Sequence, residues 1–497
     1  MTMRTSDWLW LSSILLLALV LRIVKLDAGL WYDEIVTLVN SVRLPTRELI
    51  TTYTSLNTHI LFSLEAQASI ALLGESAWSL RLPALIFGVA SVGVLWWLAR
   101  FVASPWEANL AALLMAVSYH HVWFSQNARG YTGLLFWSLF ATAIFLHNMQ
   151  RSTWRSWVGY AFVMAAALYT HLTAASFFAA QGIVYIALCI WNRFENERLG
   201  SKTGGNPLAE IAGLKPLFGF ALGGALALAL YAVLLPQILG TFDSVLALPV
   251  EKEVVAEWKS PIWTALEIVR SLQNLGLVTI VGLPAALLFV SIGVVSFFKH
   301  HPVFAAFYVV HIPLTLGILL ILSFNIWPRF FFIDMGFIFL SLVRGVFVAT
   351  QYLARVLKSR ERWRVSGDQL GIMATMTGVF VSLFLLPLNY RYPKQDFVGA
   401  HAFVESSRAA DDRVASFGLA ADAFSGYYAP DWEVVKTRGQ LDRLRAGHRA
   451  WLVYAFPGRT AQSYPDIMDS VATNFDFIQA FPGTLGHGDV LVYRSRQ

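Results

Sequence analysis

Stretches of roughly twenty consecutive apolar residues recur along most of this chain, the length a helix needs to cross the ~30 Å hydrocarbon core of a bilayer. With 57% hydrophobic and only 14% charged residues among 497, too little charge remains to solvate the surface of a globular domain. The chain reads as a polytopic α-helical membrane protein. About 11 spans are expected, near 8–26, 80–100, 107–124, 131–149, 155–171, 173–191, 216–235, 275–298, 302–322, 330–351 and 370–388. The first precedes many others and shows no small-x-small cleavage site, so it reads as a retained anchor and not as a signal peptide. Residues 60–73 form an apolar stretch interrupted by Glu65 and Gln67. It is short for a span and suits a re-entrant or interfacial helix.

Basic residues set the orientation. The formal charge is +6, but Lys and Arg fall in short runs between apolar segments instead of along one face, which argues for topology determinants and against a nucleic-acid partner. If 60–73 does not span, the basic loops at Arg100, 151–155, 193–202, 299–301 and 355–364 share one side. The opposite loops, 27–79, 125–130, 236–272 and 323–329, are poorer in such runs, and one carries Glu251, Glu253 and Glu257. The expected topology in the cell (inner) membrane is therefore N-terminus in and C-terminus out, with membrane lipids as neighbours.

After residue 388 the chain becomes charged, and short apolar strands alternate with helix-like stretches. Residues 1–388 are read as the transmembrane domain and 389–497 as a small extracytoplasmic α/β domain. Strands are expected at 414–417, 432–435, 451–456 and 490–493, and helices near 396–408, 420–427, 437–446 and 460–473. The single cysteine, Cys189, excludes an intrachain disulfide. The stretch 192–215, with its Gly204-Gly205 pair, reads as a linker.

The residues that stand out for chemistry fall on the outer side. Leu30-Trp31-Tyr32-Asp33-Glu34 follows the first span and places two adjacent carboxylates among aromatics. They serve as a general base and its partner, as ligands for a divalent cation, or as an interfacial aromatic anchor with incidental acids. Ser125-Gln126-Asn127-Ala128-Arg129-Gly130-Tyr131 offers a guanidinium fork suited to phosphate. Arg81, in Arg81-Leu82-Pro83, and Arg329, in Trp327-Pro328-Arg329, do the same. A lone arginine at a helix end is ordinarily snorkelling, but three of them on the side where few cations are expected, together with one acid pair, suit a phosphate leaving group and an activated hydroxyl in one pocket. His59 and His171 are lesser candidates for contact with phosphate, sugar or metal. Asp334 is expected to pair structurally with Arg329 or another nearby cation. No Asp-x-Asp metal pair, phosphate loop or Cys/His cluster is present, which disfavours a cytoplasmic nucleotide-dependent reaction.

In order and spacing, Trp31-Tyr32-Asp33-Glu34, His59, Ala77-Trp78-Ser79-Leu80-Arg81-Leu82-Pro83-Ala84 and the segment 125–131 resemble the bacterial protein-mannosyltransferase and aminoarabinose-transferase group of C-type glycosyltransferases (GT-C fold). The resemblance continues more weakly in Pro328-Arg329-Phe330 and in Tyr392-Pro393-Lys394-Gln395-Asp396-Phe397, where the family's outer soluble domain begins. It implies a polyprenyl-phosphate-linked sugar donor, a glycan, lipid or protein acceptor, and an inverting transfer outside the cytoplasm. Carried over by position, Asp33 is the catalytic base and Glu34 its neighbour. Arg81, Arg129 and Arg329, with Tyr131, hold the donor phosphate, and His59, Gln126 and His171 are substrate contacts. No metal ligand set is assigned, and a divalent cation is the one cofactor left open. The chain departs from the family at His59-Ile60-Leu61-Phe62, where His-Pro-Pro-Leu is usual, and at Asn127, where an acid is usual. Two readings without transfer chemistry compete. A transporter or flippase places charges at the midplane and shows inverted repeats, neither of which is visible here, and a scaffold or sensor has no need of so many spans.

Overall fold

A computed structural model describes residues 4–53, 58–199, 213–240, 260–261, 277–358, 365–486 and 488–496. Glu251, Glu253, Glu257 and the Gly204-Gly205 pair lie outside the described residues. In the membrane part the helices run α1 (Thr5–Ile23), α2 (Tyr32–Thr37), α3 (Ile60–Leu73), α4 (Ala77–Val102), α5 (Pro105–Val117), α6 (Tyr119–Ser125), α7 (Tyr131–Gln150), α8 (Trp154–Thr170), α9 (Ala174–Leu199), α10 (Leu214–Tyr231), α11 (Leu277–His300), α12 (Pro302–Ile321), α13 (Met335–Lys358) and α14 (Gly367–Leu385). A 3-10 turn, Pro328–Asp334, leads into α13.

Among the described residues nine helices are long and apolar enough to cross a membrane: α1, α4, α7, α9, α10, α11, α12, α13 with its leading turn, and α14. The two other expected spans have a different form. That at 107–124 is broken at Ser118, whose extended backbone ends α5 and whose hydroxyl accepts the His121 N–H (3.4 Å) to cap α6. That at 155–171 is the 17-residue α8. Helix α9 continues to Leu199, so the first part of the expected linker is helical. Reciprocal caps start several helices: Ser76 with Ser79 opens α4, and Ser104 with Glu107 opens α5 behind Pro105 at its first position. Large apolar side chains such as Leu16, Ile86, Phe162, Leu228, Phe380 and Phe384 point outward from the bundle, as a lipid-facing surface requires.

With no hydrophobic drive between helices in lipid, close backbone approach has to supply packing. Helices α11 and α13 achieve this with two glycines. A Cβ on Gly293 would lie 1.9 Å from the Ser341 carbonyl oxygen, and one on Gly345 1.7 Å from that of Phe289.

The C-terminal domain carries α15 (Phe397–Ser407), α16 (Leu419–Ala423), α17 (Arg438–Arg445), α18 (Pro457–Ser463) and α19 (Pro465–Asn474). Its sheet has five strands, β1 (Arg413–Phe417), β2 (Glu433–Val435), β3 (Ala450–Ala455), β4 (Phe475–Phe481) and β5 (Val490–Ser495), in the order β2-β1-β3-β5-β4. The first three are parallel, and β5 runs antiparallel to both β3 and β4. Four strands are the expected ones; β4 was not expected, and the expected helix at 460–473 is divided at Pro465, which cannot continue α18. One sheet face packs through Ala415, Phe417 and Leu452 on α17 and α19. The other, through Val414, Trp451 and Val453, shares a core with Leu30, Ile35 and Leu38 of the loop after α1. The loop that carries the acid pair is thus part of the C-terminal domain's core.

Replacing Gly293 or Gly345 by Val is expected to force α11 and α13 apart and to lower the melting temperature in detergent, a cost of at least about 3 kcal/mol. Gly378→Ala, at an open position of α14, serves as the unaffected control. Equal melting curves for all three variants would contradict this packing.

Candidate active site

Glu34 enters the site from the first turn of α2, which starts as the chain emerges from α1, passes through Lys25 in the left-handed region (φ 60) and turns back. Its carboxylate is fully buried and grips Arg81 of α4 in a two-pronged contact: Nε donates to Oε1 (2.7 Å) and Nη2 to Oε2 (2.6 Å). The remaining Arg81 donors go to the carbonyls of Leu26 (2.8 Å), Ala28 (2.6 Å) and Gly29 (3.0 Å). Glu34 also accepts the Ala128 N–H (2.8 Å) and the Trp31 N–H (3.3 Å). Burial alone would raise the Glu34 carboxyl; Arg81, then Lys394, the Arg81 hydrogen bonds and the Ala128 amide hold it below its ordinary value. All five Arg81 N–H groups are taken up by acceptors inside the protein, and the structure does not bring Arg81 to Asp33 with the other two arginines. Glu34 likewise has no free lone pairs to offer a cation.

Asp33, the preceding residue, faces elsewhere. Its Oδ2 lies 2.8 Å from Nη1 of Arg129 and 3.5 Å from Nη1 of Arg329. Arg129 is buried, whereas Arg329 is about a third exposed (32%) on the 3-10 turn before α13. Two of the three expected arginines therefore converge with the expected base, on one oxygen atom. Around them stand His59, His171 and Tyr131. The rings of His59 and His171 lie 4.5 Å apart and each lies 5.3 Å from Tyr131, over which the Arg129 guanidinium sits at 5.8 Å. Tyr131 contributes its ring face to this cluster. The His59 Nδ1 accepts the Gly130 N–H (2.8 Å), and the His171 Nδ1 accepts from Thr173 (2.8 Å). Both imidazoles are held neutral: burial, then Arg129, pushes His59 well below its ordinary value and His171 down to about 3. With Nδ1 accepting, each ring carries its hydrogen on Nε2, and in His59 that atom stands 3.3 Å from Nη2 of Arg129.

Gln126 is turned inward: its amide donates to the carbonyls of Arg22 (3.0 Å) and Val24 (2.6 Å), and its oxygen accepts from Asn389 (3.0 Å), which ties the end of α1 to the start of the C-terminal domain. Asp334 does not pair with Arg329, which is directed to Asp33. It receives Nδ1–H of His311 (2.9 Å) instead. Sequence reasoning assigned no role to Lys394 or Gln395, although the motif that opens the outer domain contains both. Lys394 Nζ donates to the Gln126 carbonyl, lies 4.0 Å from Glu34 and sits 4.8 Å over the Trp123 ring. Burial pushes this amine down to about 7, with Glu34 opposing. Gln395 accepts the Tyr32 N–H (3.1 Å) beside Asp33 and donates to the Gly488 carbonyl (2.9 Å). Among the described residues no group of three or more His, Cys, Asp and Glu side chains is arranged to hold a metal ion.

Glu34→Gln leaves the Arg81 guanidinium buried without its counter-charge, an expected loss of about 3–5 kcal/mol seen as aggregation on size-exclusion or a collapsed melting temperature. Arg81→Lys is expected not to recover it, because a single ammonium cannot serve five acceptors in a fixed fork. Lys394 gives a pH signature. Its folded value lies near 7 and its unfolded value is that of an ordinary lysine, so between these the unfolded chain binds the extra proton and stability rises with pH. Lys394→Met is expected to flatten that rise between pH 7 and 9 in thermal melts; an unchanged slope would contradict the assignment.

Comparison with known proteins agrees with this architecture. The family profile described as dolichyl-phosphate-mannose-protein mannosyltransferase matches residues 60–201, which hold His59's helix, Arg81 and the 125–131 segment. ArnT from Cupriavidus metallidurans in the apo state superposes with a TM-score of 0.54 at 11% identity, covering 99% of this chain and 98% of that one. The oligosaccharyltransferase of Archaeoglobus fulgidus in the apo form superposes with a TM-score of 0.50 at 12% identity, covering 94% and 73%. No curated protein sequence matches the chain significantly. Nine helices long and apolar enough to cross a membrane, among the described residues, and the fold shared with these structures make this chain a multi-pass membrane protein with the C-type glycosyltransferase fold.

Proposed function

We propose that this protein transfers a sugar from a polyprenyl-phosphate-linked donor to an acceptor hydroxyl at the outer face of the membrane, with Asp33 as the base and Arg129 and Arg329 as ligands of the donor phosphate. The observation that carries the reading is the meeting of these three side chains, from three distant segments, on Oδ2 of Asp33. A donor phosphate has the charge and the oxygens to take the two guanidinium groups from the carboxylate. Asp33 is then free to accept the proton of an acceptor hydroxyl. The acceptor oxygen attacks the anomeric carbon from the side away from the phosphate, the bond from that carbon to the phosphate oxygen breaks, and the polyprenyl phosphate departs with its charge still held by the arginines. Neutral His59, with its Nε2 hydrogen beside Arg129, supplies a further donor toward the same oxygens. The filled lone pairs of Glu34 leave the acid pair unsuited to a divalent cation, and no step is routed through one. The clustering of the informative charges at one end of the bundle weighs against a transporter.

Asp33→Asn is expected to lower transfer from a panel of radiolabelled polyprenyl-phosphate sugars by about 100-fold or more while undecaprenyl phosphate binds as tightly as before or tighter, since the carboxylate competitor is gone. Arg129→Ala and Arg329→Ala are expected to weaken that binding about 10-fold each, the loss of one charge-assisted contact. Full activity in the Asp33 variant would refute the assignment of the base.

A further inference from the structure

Among the groups the mechanism leaves unused, the polar cluster around Asp334 is the one tied to the site by continuous contacts. Asp334 closes the 3-10 turn that begins at Pro328 and carries Arg329, and its carboxylate is fully buried. Halfway along α12, His311 donates Nδ1–H to Asp334 Oδ1 (2.9 Å), and its Nε2 meets Ser176 Oγ (3.3 Å). Thr315, one turn further on, donates to the same Ser176 hydroxyl (2.9 Å), which donates in turn to the Thr173 carbonyl (2.9 Å). Thr173 is the residue whose hydroxyl and amide fix the His171 ring. One run of polar contacts therefore joins His171, beside Arg129, to the turn bearing Arg329. Phe332, between Arg329 and Asp334, packs 4.3 Å from Phe124 and stacks on His121, which holds the turn from its second side.

A buried carboxylate among apolar helices is costly and is retained where it has work to do. Arg329 itself is long and one-third exposed, so its reach toward Asp33 depends on where its backbone is pinned. We infer that His311 is a positioning residue for the donor phosphate, acting through Asp334 and the 3-10 turn to place Arg329, and that Ser176 and Thr315 orient its ring. The inference rests on the reading of Arg329 as a phosphate ligand.

A double-mutant cycle tests it, with undecaprenyl phosphate as the probe in detergent-purified full-length protein. His311→Leu is expected to weaken binding about 10-fold, and His311→Asn, which keeps a donor toward Asp334, to restore it to within about 3-fold. In the Arg329→Ala background His311→Leu is expected to add nothing, and in the transferase assay its effect falls on the donor KM more than on kcat. Should His311→Leu not be recovered folded, Ser176→Ala takes its place in the same cycle with the same expected coupling. Losses that multiply to about 100-fold in the double variant, or unchanged binding in folded His311→Leu, would overturn the inference. Unchanged binding in Arg329→Ala alone would overturn instead the assignment of Arg329 as a phosphate ligand, and this inference with it.

Discussion

The buried pair of Glu34 and Arg81 fixes the geometry on which this end of the bundle depends. Such a pair is a poor source of net stability, because taking two charges out of water costs about as much as their attraction returns. Its value is that it admits one arrangement. Arg81 reaches its five acceptors only if the chain after α1 doubles back so that the carbonyls of Leu26, Ala28 and Gly29 face α4, and Glu34 completes its set only if Ala128 and Trp31 present their amides. The pair thereby places the first outer loop, the start of α4 and the 125–131 turn in one register.

Adjacent carboxylates on a helix point about 100° apart, and this is what divides their roles. Glu34 points into the protein and is consumed by it. Asp33 is thereby aimed at Arg129, which sits on the same turn as Ala128, and at Arg329 from across the bundle. Two kinds of contact are thus kept on neighbouring residues: a fully buried pair at Glu34 and a more open set at Asp33, where Arg329 is about a third exposed.

Much of this was legible in the sequence because the signals are local. Hydropathy marked the apolar helices, alternation marked four of five strands, and the motifs around Asp33, Arg129 and Arg329 singled out three side chains that meet at one carboxylate oxygen. What was not legible depends on long-range partners. Arg81 reads like Arg129 in sequence, and only the three carbonyls folded back onto it show that its charge is already used. Asp334 lies five residues from Arg329, a separation that suggests a pair, yet it points to His311 on another helix. Gln126 is an ordinary polar residue in a loop until Asn389, from the far end of the chain, is placed beside it. Strand β4 went unseen because Phe475-Asp476-Phe477-Ile478-Gln479-Ala480-Phe481 breaks its alternation at a register shift between Phe477 and Gln479.

The C-terminal domain completes the constraint from the other side. Tyr428 donates to the Leu30 carbonyl (2.8 Å), Arg43 to that of Gly426 (3.0 Å), and Gln395 receives the Tyr32 amide (3.1 Å), so the acid loop is gripped before, within and after α2. Loop and domain also share one apolar core, through Leu30, Ile35 and Leu38 against Val414, Trp451 and Val453. A loop held only by the membrane helices would be free to pivot about the Glu34–Arg81 contact; one held only by the domain would drift with respect to Arg129. Held by both, Asp33 has one position relative to the two guanidinium groups. The domain therefore acts on Asp33 through the backbone of α2, by fixing the direction in which a single carboxylate points.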